Sequence, residues 1–452
     1  NIWKERPEMS MEPVFSLEDE YTGEKIGSKL ERIREIMKEN GCNAHVLSSL
    51  DDIAWLLNIR GNDIAYCPLV LSYAIVYNNS VELFADIRKF SDDIINLLAE
   101  NQVKIYPYED IYRKVSEMTS EDKLLLDSSI MNYSLYQSIS KETVIVDKQN
   151  PEILMKSVKN ETQAENLRKA HLKDAVAHTK FMYWLKKNIG RVEITELSAS
   201  ARLEGLRAEQ EHFLGPSFGP ISAYGEHGAI VHYSADEKSN VPLKEGKLFM
   251  TDTGGHYLEG STDITRTVAL GEVGNIEKEH FTLVARAMLR LANTVFLYGC
   301  SGANLDCIAR EVFWKEGLNF NHGTGHGVGY LLNIHEGPIN FRWKEGERPA
   351  PALEENMVIT DEPGIYIEGS HGIRLENELL VRKTVKNEYG QFMNFEILTY
   401  VPIDLDAILP EKMSTEEKEM LNHYHKQVYE KVSPYLSEEE RIWLKEYTRA
   451  VK

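Results

Sequence analysis

The chain has 452 residues, 42% of them apolar, which is enough for two or three domains with a substantial core and no disulfide staples. Its 51 basic and 71 acidic side chains leave a formal charge of −20, so neither nucleic acid nor an anionic membrane surface is expected as a partner. The opening NIWKERPEMS lacks an apolar signal core, and no stretch reaches the roughly 18 apolar residues of a membrane span, so a cytoplasmic location is expected. Cys42, Cys67, Cys300 and Cys307 form no C-x-x-C pair and read as reduced thiols.

Along the chain, Ile26, Leu30, Ile33, Ile36 and Met37 recur at helical spacing and Gly41 follows as a stop, which predicts an amphipathic helix. Beyond it come NAHVLSS, then LVLSYAIVYNNSVELFAD with a turn at Asn78-Asn79, a helical FSDDIINLLAENQ, and the short apolar runs KLLLD and TVIVDK. Strands alternating with helices predict a smaller α/β domain over residues 1–155. DKQNPEILMKSVKNETQAE reads as a connection punctuated by Pro151, with a long helix beginning at Glu161. TELSASARLEGLRAEQ reads as a second helix, and residues 278–299 as a third. Residues 216–271 and 320–405 are rich in Gly, Thr, Val and Ile, so residues 156–452 predict an α+β domain of helices beside antiparallel strands. Ser414 with Glu417 and Ser437 with Glu440 are capping signals that open two polar helices of the tail.

Three segments concentrate chemistry. In FMTDTGGHYLEGSTDITRTVALG, Asp252 shares a strand face with Leu248 and Met250, and a Gly-rich excursion leads on to Asp263. Alone, these two acids read as ordinary turn residues. In NHGTGHGVGYLLNIHEGP, His322, His326 and His335 are three of the chain's fourteen histidines, and the intervening glycines argue for loop or strand over helix. In VITDEPGIYIEGSHGIRLENELLV, Glu362 precedes the rigid Pro363-Gly364 turn and Glu376 is expected on a strand, while Glu368 and Glu378 read as solvated edge carboxylates. Four carboxylates converging with one imidazole, namely Asp252, Asp263, His326, Glu362 and Glu376, would repel one another and take up protons unless cations were present. Two divalent ions balance four such charges, and ligation dominated by oxygen favours Mn²⁺ or Mg²⁺ over a thiolate-type zinc site.

Order and spacing of these five residues resemble the metal ligands of the pita-bread metallopeptidases. DTGGHYLEGSTDITRT, HGTGHGVG followed by NIHEGP, and TDEPG followed by IRLEN carry the likeness. DDIAWLLNIRG at 51–61, GAIVHY at 228–233 and NFEILTYVPID at 394–404 are most similar to the eukaryotic cytosolic-type Xaa-Pro aminopeptidases (aminopeptidase P). That resemblance implies a creatinase N-terminal-like α/β domain followed by an α+β pita-bread catalytic domain. It also implies a dinuclear centre with Asp263 and Glu376 bridging two ions, Asp252 completing one, and His326 with Glu362 completing the other. Glu362 would shuttle the proton, His232 and His335 would orient substrate and stabilise the oxyanion, His322 would line the proline side, and Arg374 would support Asp252 from the same strand face as Glu376. Substrates would be peptides with proline second, the metal Mn²⁺ and the assembly a homodimer. The larger members of this family carry a further α/β domain ahead of the one beginning here, so the sequence is expected to be a fragment or a shortened form. Alternatives left open are a prolidase restricted to Xaa-Pro dipeptides and a metal-free binding protein on the same fold.

Overall fold

A computed structural model describes residues 5, 7–344, 346 and 349–452. The chain forms two compact units, Asn1–Lys156 and Ser157–Lys452. The first is built on a six-stranded mixed sheet in the order Val103–Tyr106, Val81–Phe84, Tyr73–Tyr77, Ala44–Leu47, Lys123–Leu126, Val144–Asp147. Its hairpin turns at Asn78-Asn79, and its parallel pairs are joined through helices such as Asp92–Glu100. The helix Ile26–Glu39 buries Ile26, Leu30, Ile33 and Met37, the face its spacing predicts.

The stretch expected to be a plain connection holds a short helix, Pro151–Ser157. Proline is suited to a first helical position, where its fixed φ is already helical and its missing N–H has no partner to lose. Glu152 in that first turn is buried with Oε2 3.2 Å from His45 Nε2, so burial of a polar contact adds what sequence pattern could not show.

In the second unit the long helix Glu161–Asn188 opens on a capping box at Asn160. Its buried face and that of Asn275–Ala292 join strand residues such as Val268, Ile373 and Leu379 in one large core. The third predicted helix ends at Ala292, well short of residue 299, because Thr294 and Val295 are β-branched and Phe296–Leu297 pairs with Gly390–Ile397. A three-stranded antiparallel sheet runs Ile221–Tyr224, Lys247–Thr253, Ile264–Leu270. A six-stranded sheet runs Phe296–Leu297, Gly390–Ile397, Asn377–Asn387, Val358–Asp361, Gly325–Val328, His335–Phe341, and a separate hairpin pairs Gly364–Ile367 with His371–Arg374. Among the described residues no helix is long and apolar enough to cross a membrane.

Candidate metal centre

Asp252 lies near the end of Lys247–Thr253, opposite Thr265 of the neighbouring antiparallel strand, and Asp263 stands just before that strand begins. The excursion between them doubles back at Gly254, where a Cβ would sit 1.8 Å from the Thr262 carbonyl oxygen. Glycine there lets the two acids come together. His326 is on Gly325–Val328, pressed against Val358–Asp361 so closely that a Cβ on Gly325 would meet the Thr360 carbonyl at 1.8 Å. Thr360 Oγ1 accepts the His326 N–H at 3.0 Å and donates to Glu362 Oε1 at 3.1 Å, so one hydroxyl sets both residues. Glu376 is not on a strand: it occupies the gap between His371–Arg374 and Asn377–Asn387, with its N–H on the Thr265 carbonyl at 3.0 Å and Oε2 accepting from Thr265 Oγ1 at 2.8 Å. Arg374 therefore belongs to a different strand from the residues after Glu376, and the expected shared face does not exist. Its guanidinium nevertheless pairs with Asp252 Oδ2.

All nine sequence-predicted residues line one cavity of about 410 Å³: the four acids and the imidazole of the cluster, with His232, His322, His335 and Arg374. Asp263, His326 and Glu376 each offer a donor atom within 4.8 Å of the others. His326 Nε2 lies 3.6 Å from both Asp263 Oδ2 and Glu362 Oε1. Its Nδ1 donates to the Gly327 carbonyl at 2.9 Å, which leaves the Nε2 lone pair facing the carboxylates. Asp252 Oδ1 is buried and has no hydrogen-bond partner among the described residues.

Burial pushes the Asp263 carboxyl well up, and Asp252, Glu362 and Glu378 push it further. Glu376 is raised by burial and then by Asp263, Glu362 and Asp252. Divalent cations would reverse both effects, and a half-satisfied Asp252, an outward imidazole lone pair and crowded carboxylates are the donor set such ions take. The residues fit two metal ions.

Sequence reasoning missed Tyr366, which links two predicted residues. Arg374 Nη1 donates to its hydroxyl oxygen at 2.8 Å, and that hydroxyl donates to His322 Nε2 at 2.9 Å, since His322 Nδ1 is committed to the Gly323 carbonyl at 2.7 Å. Burial pushes the Tyr366 phenol up to about 12, which keeps it a donor at neutral pH. Phe218 and Arg342 also line the cavity without a motif of their own. Glu378 corrects an expectation: it is fully buried, because its strand is covered on both faces there, and it accepts the Asp263 N–H at 2.6 Å.

Residues 5–163 match the creatinase/prolidase N-terminal domain, residues 165–383 metallopeptidase family M24, and residues 391–451 the C-terminal region of peptidase M24. Aminopeptidase P1 of Arabidopsis thaliana is 34% identical over 500 residues, covering 100% of this chain and 77% of its own length. Xaa-Pro aminopeptidase 1 of Dictyostelium discoideum is 36% identical over 438 residues, covering 96% and 69%. The crystal structure of an X-prolyl aminopeptidase from Caenorhabditis elegans, described as a cytosolic enzyme with a di-nuclear active site, superposes with a TM-score of 0.93 at 34% identity, covering 99% of this chain and 74% of that one. With a creatinase N-terminal-like domain followed by a pita-bread domain and full-length similarity to these enzymes, the chain belongs to the Xaa-Pro aminopeptidases of metallopeptidase family M24.

Proposed function

We propose that the chain hydrolyses the amide bond between an N-terminal residue and a following proline, using the cavity around Asp263. The observation that carries this is the convergence of four carboxylates and the His326 imidazole on one cavity, with Asp263 and Glu362 both 3.6 Å from the His326 Nε2, in a chain of this family. Asp263 and Glu376 would serve both ions, Asp252 one of them, and His326 with Glu362 the other. Two divalent ions, which we take to be Mn²⁺ from the oxygen-rich donor set, would supply Lewis acidity and lower the pKa of an attacking water.

The chain's own residues do the rest. Glu362, oriented by the Thr360 hydroxyl, takes the proton from the attacking water on a carboxylate oxygen and passes it to the leaving proline nitrogen. His335, whose ring centroid is 4.4 Å from that of His326, and His232 stand at the cavity wall, where they orient the substrate and donate to the oxygen that gains negative charge. His322, fixed by Tyr366, walls the proline side. Arg374 holds Asp252 in place through Oδ2 and leaves Oδ1 for metal.

Domain limits of 1–155 and 156–452, a cytoplasmic location and a homodimer belong to the same proposal, the location resting on the cytosolic C. elegans relative. The deciding assay sets an Xaa-Pro dipeptide beside an Arg-Pro-Pro-type tripeptide, with metal content measured on the same preparation. Release of arginine from the tripeptide by Mn²⁺-loaded protein is expected. Cleavage confined to the dipeptide would make the protein a prolidase, and an absence of tightly held metal after reconstitution would leave only a binding protein.

A further inference from the structure

The proposed centre leaves a fifth buried acid without a role. Glu378 stands two residues beyond Glu376 on Asn377–Asn387, fully buried. Its Oε1 accepts the backbone N–H of Asp263 at 2.6 Å, and its own N–H donates to Thr399 Oγ1 at 2.9 Å. Oε2 lies 3.1 Å from Nε2 of His171, equally buried on the helix Glu161–Asn188, a close ion-pair contact that is not aligned as a hydrogen bond. One turn further along that helix Asp174, paired to Arg207, accepts the Thr262 hydroxyl at 2.5 Å. Consecutive residues are thus fixed side by side, Thr262 by Asp174 of this helix and Asp263 by Glu378, whose second oxygen the same helix covers with His171.

Electrostatics alone argue against an acid at this place. A carboxylate beside four others in a dry interior adds repulsion, and an apolar side chain could fill the same volume. What an apolar side chain could not supply is an acceptor for the Asp263 N–H, which is aimed away from the cavity at the point where the chain enters its strand. Without it that N–H is stranded and the peptide unit is free to rotate, turning the carboxylate with it.

We propose that Glu378, backed by His171, is a positioning residue for Asp263: by accepting its backbone N–H it fixes the direction from which the Asp263 carboxylate reaches both metal ions. This rests on the metal-centre reading above. Its effect falls on metal affinity, with substrate contacts untouched.

Calorimetric titration of Mn²⁺ into metal-free full-length protein tests it, with Glu378→Gln, Glu378→Leu and His171→Leu beside the parent. Gln keeps an amide oxygen as acceptor and should bind Mn²⁺ within ~3-fold of the parent, whereas Leu removes it and should lose ~10–100-fold, the range for groups that orient a ligand. His171→Leu should lose roughly 3–10-fold, because the acceptor stays but its backing goes. A folded Glu378→Leu that binds as the parent does overturns the proposal, and so does a Gln variant as weak as Leu, since charge and not the acceptor would then matter. If Glu378→Leu does not fold, unchanged affinity in His171→Leu decides against it. A parent that binds no Mn²⁺ defeats the metal-centre reading itself, a result distinct from any of these.

Discussion

At the scale of single residues, Asp252 and Asp263 carry the same functional group into different surroundings. Arg374 pairs with Asp252 Oδ2 and leaves Oδ1 without a hydrogen-bond partner among the described residues, which supports the proposal that Asp252 completes one ion. Asp263 has Oδ2 3.6 Å from His326 Nε2 and groups with Glu376, which supports the proposal that it serves both ions. Asp263→Asn should therefore empty the centre of both metals, while Asp252→Asn should retain about one ion per chain in elemental analysis and lose at least ~10³-fold in turnover. Equal metal loss in the two variants would remove the distinction between bridging and single-ion ligands. Nine of the residues on this cavity are legible in the sequence because their motifs combine glycines that demand close backbone approach with side chains that bind metal. Tyr366 and Glu378 are not, because their value lies in partners more than forty residues away, Tyr366 on His322 and Glu378 on Asp263 and His171. A glutamate in an apolar run reads as an edge residue until something is seen to cover it.

Secondary-structure elements were legible where local signals agree. The capping boxes at Ser414 and Ser437 open Thr415–Val432 and Glu438–Tyr447, and the amphipathic spacing from Ile26 gives its helix to within a residue. Boundaries failed where tertiary partners decide them, as at Phe296, whose strand depends on Gly390–Ile397, and at Glu376, which leaves the strand so that its N–H can reach Thr265. The helix Thr415–Val432 also carries a measurable acid liability. His425 on it is fully buried, and its Nε2 accepts the Ile403 N–H at 3.1 Å, a bond only the neutral ring can make. Burial first, then Arg266 and Arg449, push its pKa from 6.5 down to about 3. The unfolded chain thus binds a proton below pH 6.5 that the folded one refuses, so stability is complete above 6.5 and falls as the pH drops toward 3, by about 1.4 kcal/mol per pH unit. His425→Gln keeps an acceptor for Ile403 without the titration. Urea unfolding at several values between pH 4 and 6 should show the variant's stability falling less steeply by about one proton, and identical slopes would show that His425 does not control this range.

For the whole molecule, the cluster that makes the site reactive is also a stability problem. A chain of net charge −20 gathers four carboxylates in one cavity, two of them pushed toward protonation by burial and by one another. Their repulsion is present only when the chain is folded, so ions that bind the folded cluster and not the unfolded chain add stability by mass action, roughly 2.7 kcal/mol at a free concentration 100 times the dissociation constant. For a unit of the size of Ser157–Lys452, whose unfolding entropy is about 0.6 kcal/mol/K, that raises the midpoint of its thermal transition by roughly 4–5 °C, and removing metal with a chelator should lower it by as much. The shift must be local, since every cavity residue lies in that unit. Hydrogen exchange should accordingly slow at Lys247–Thr253, Gly325–Val328 and Val358–Asp361 when Mn²⁺ is added, and stay unchanged at Ala44–Leu47 and Lys123–Leu126. Asp263→Asn separates this from a general effect of salt: it lacks one of the crowded charges, so its transition should start higher without metal and gain nothing from Mn²⁺. An equal rise in parent and variant would show that the ion acts elsewhere on the acidic surface and that the carboxylate cluster is not what it relieves.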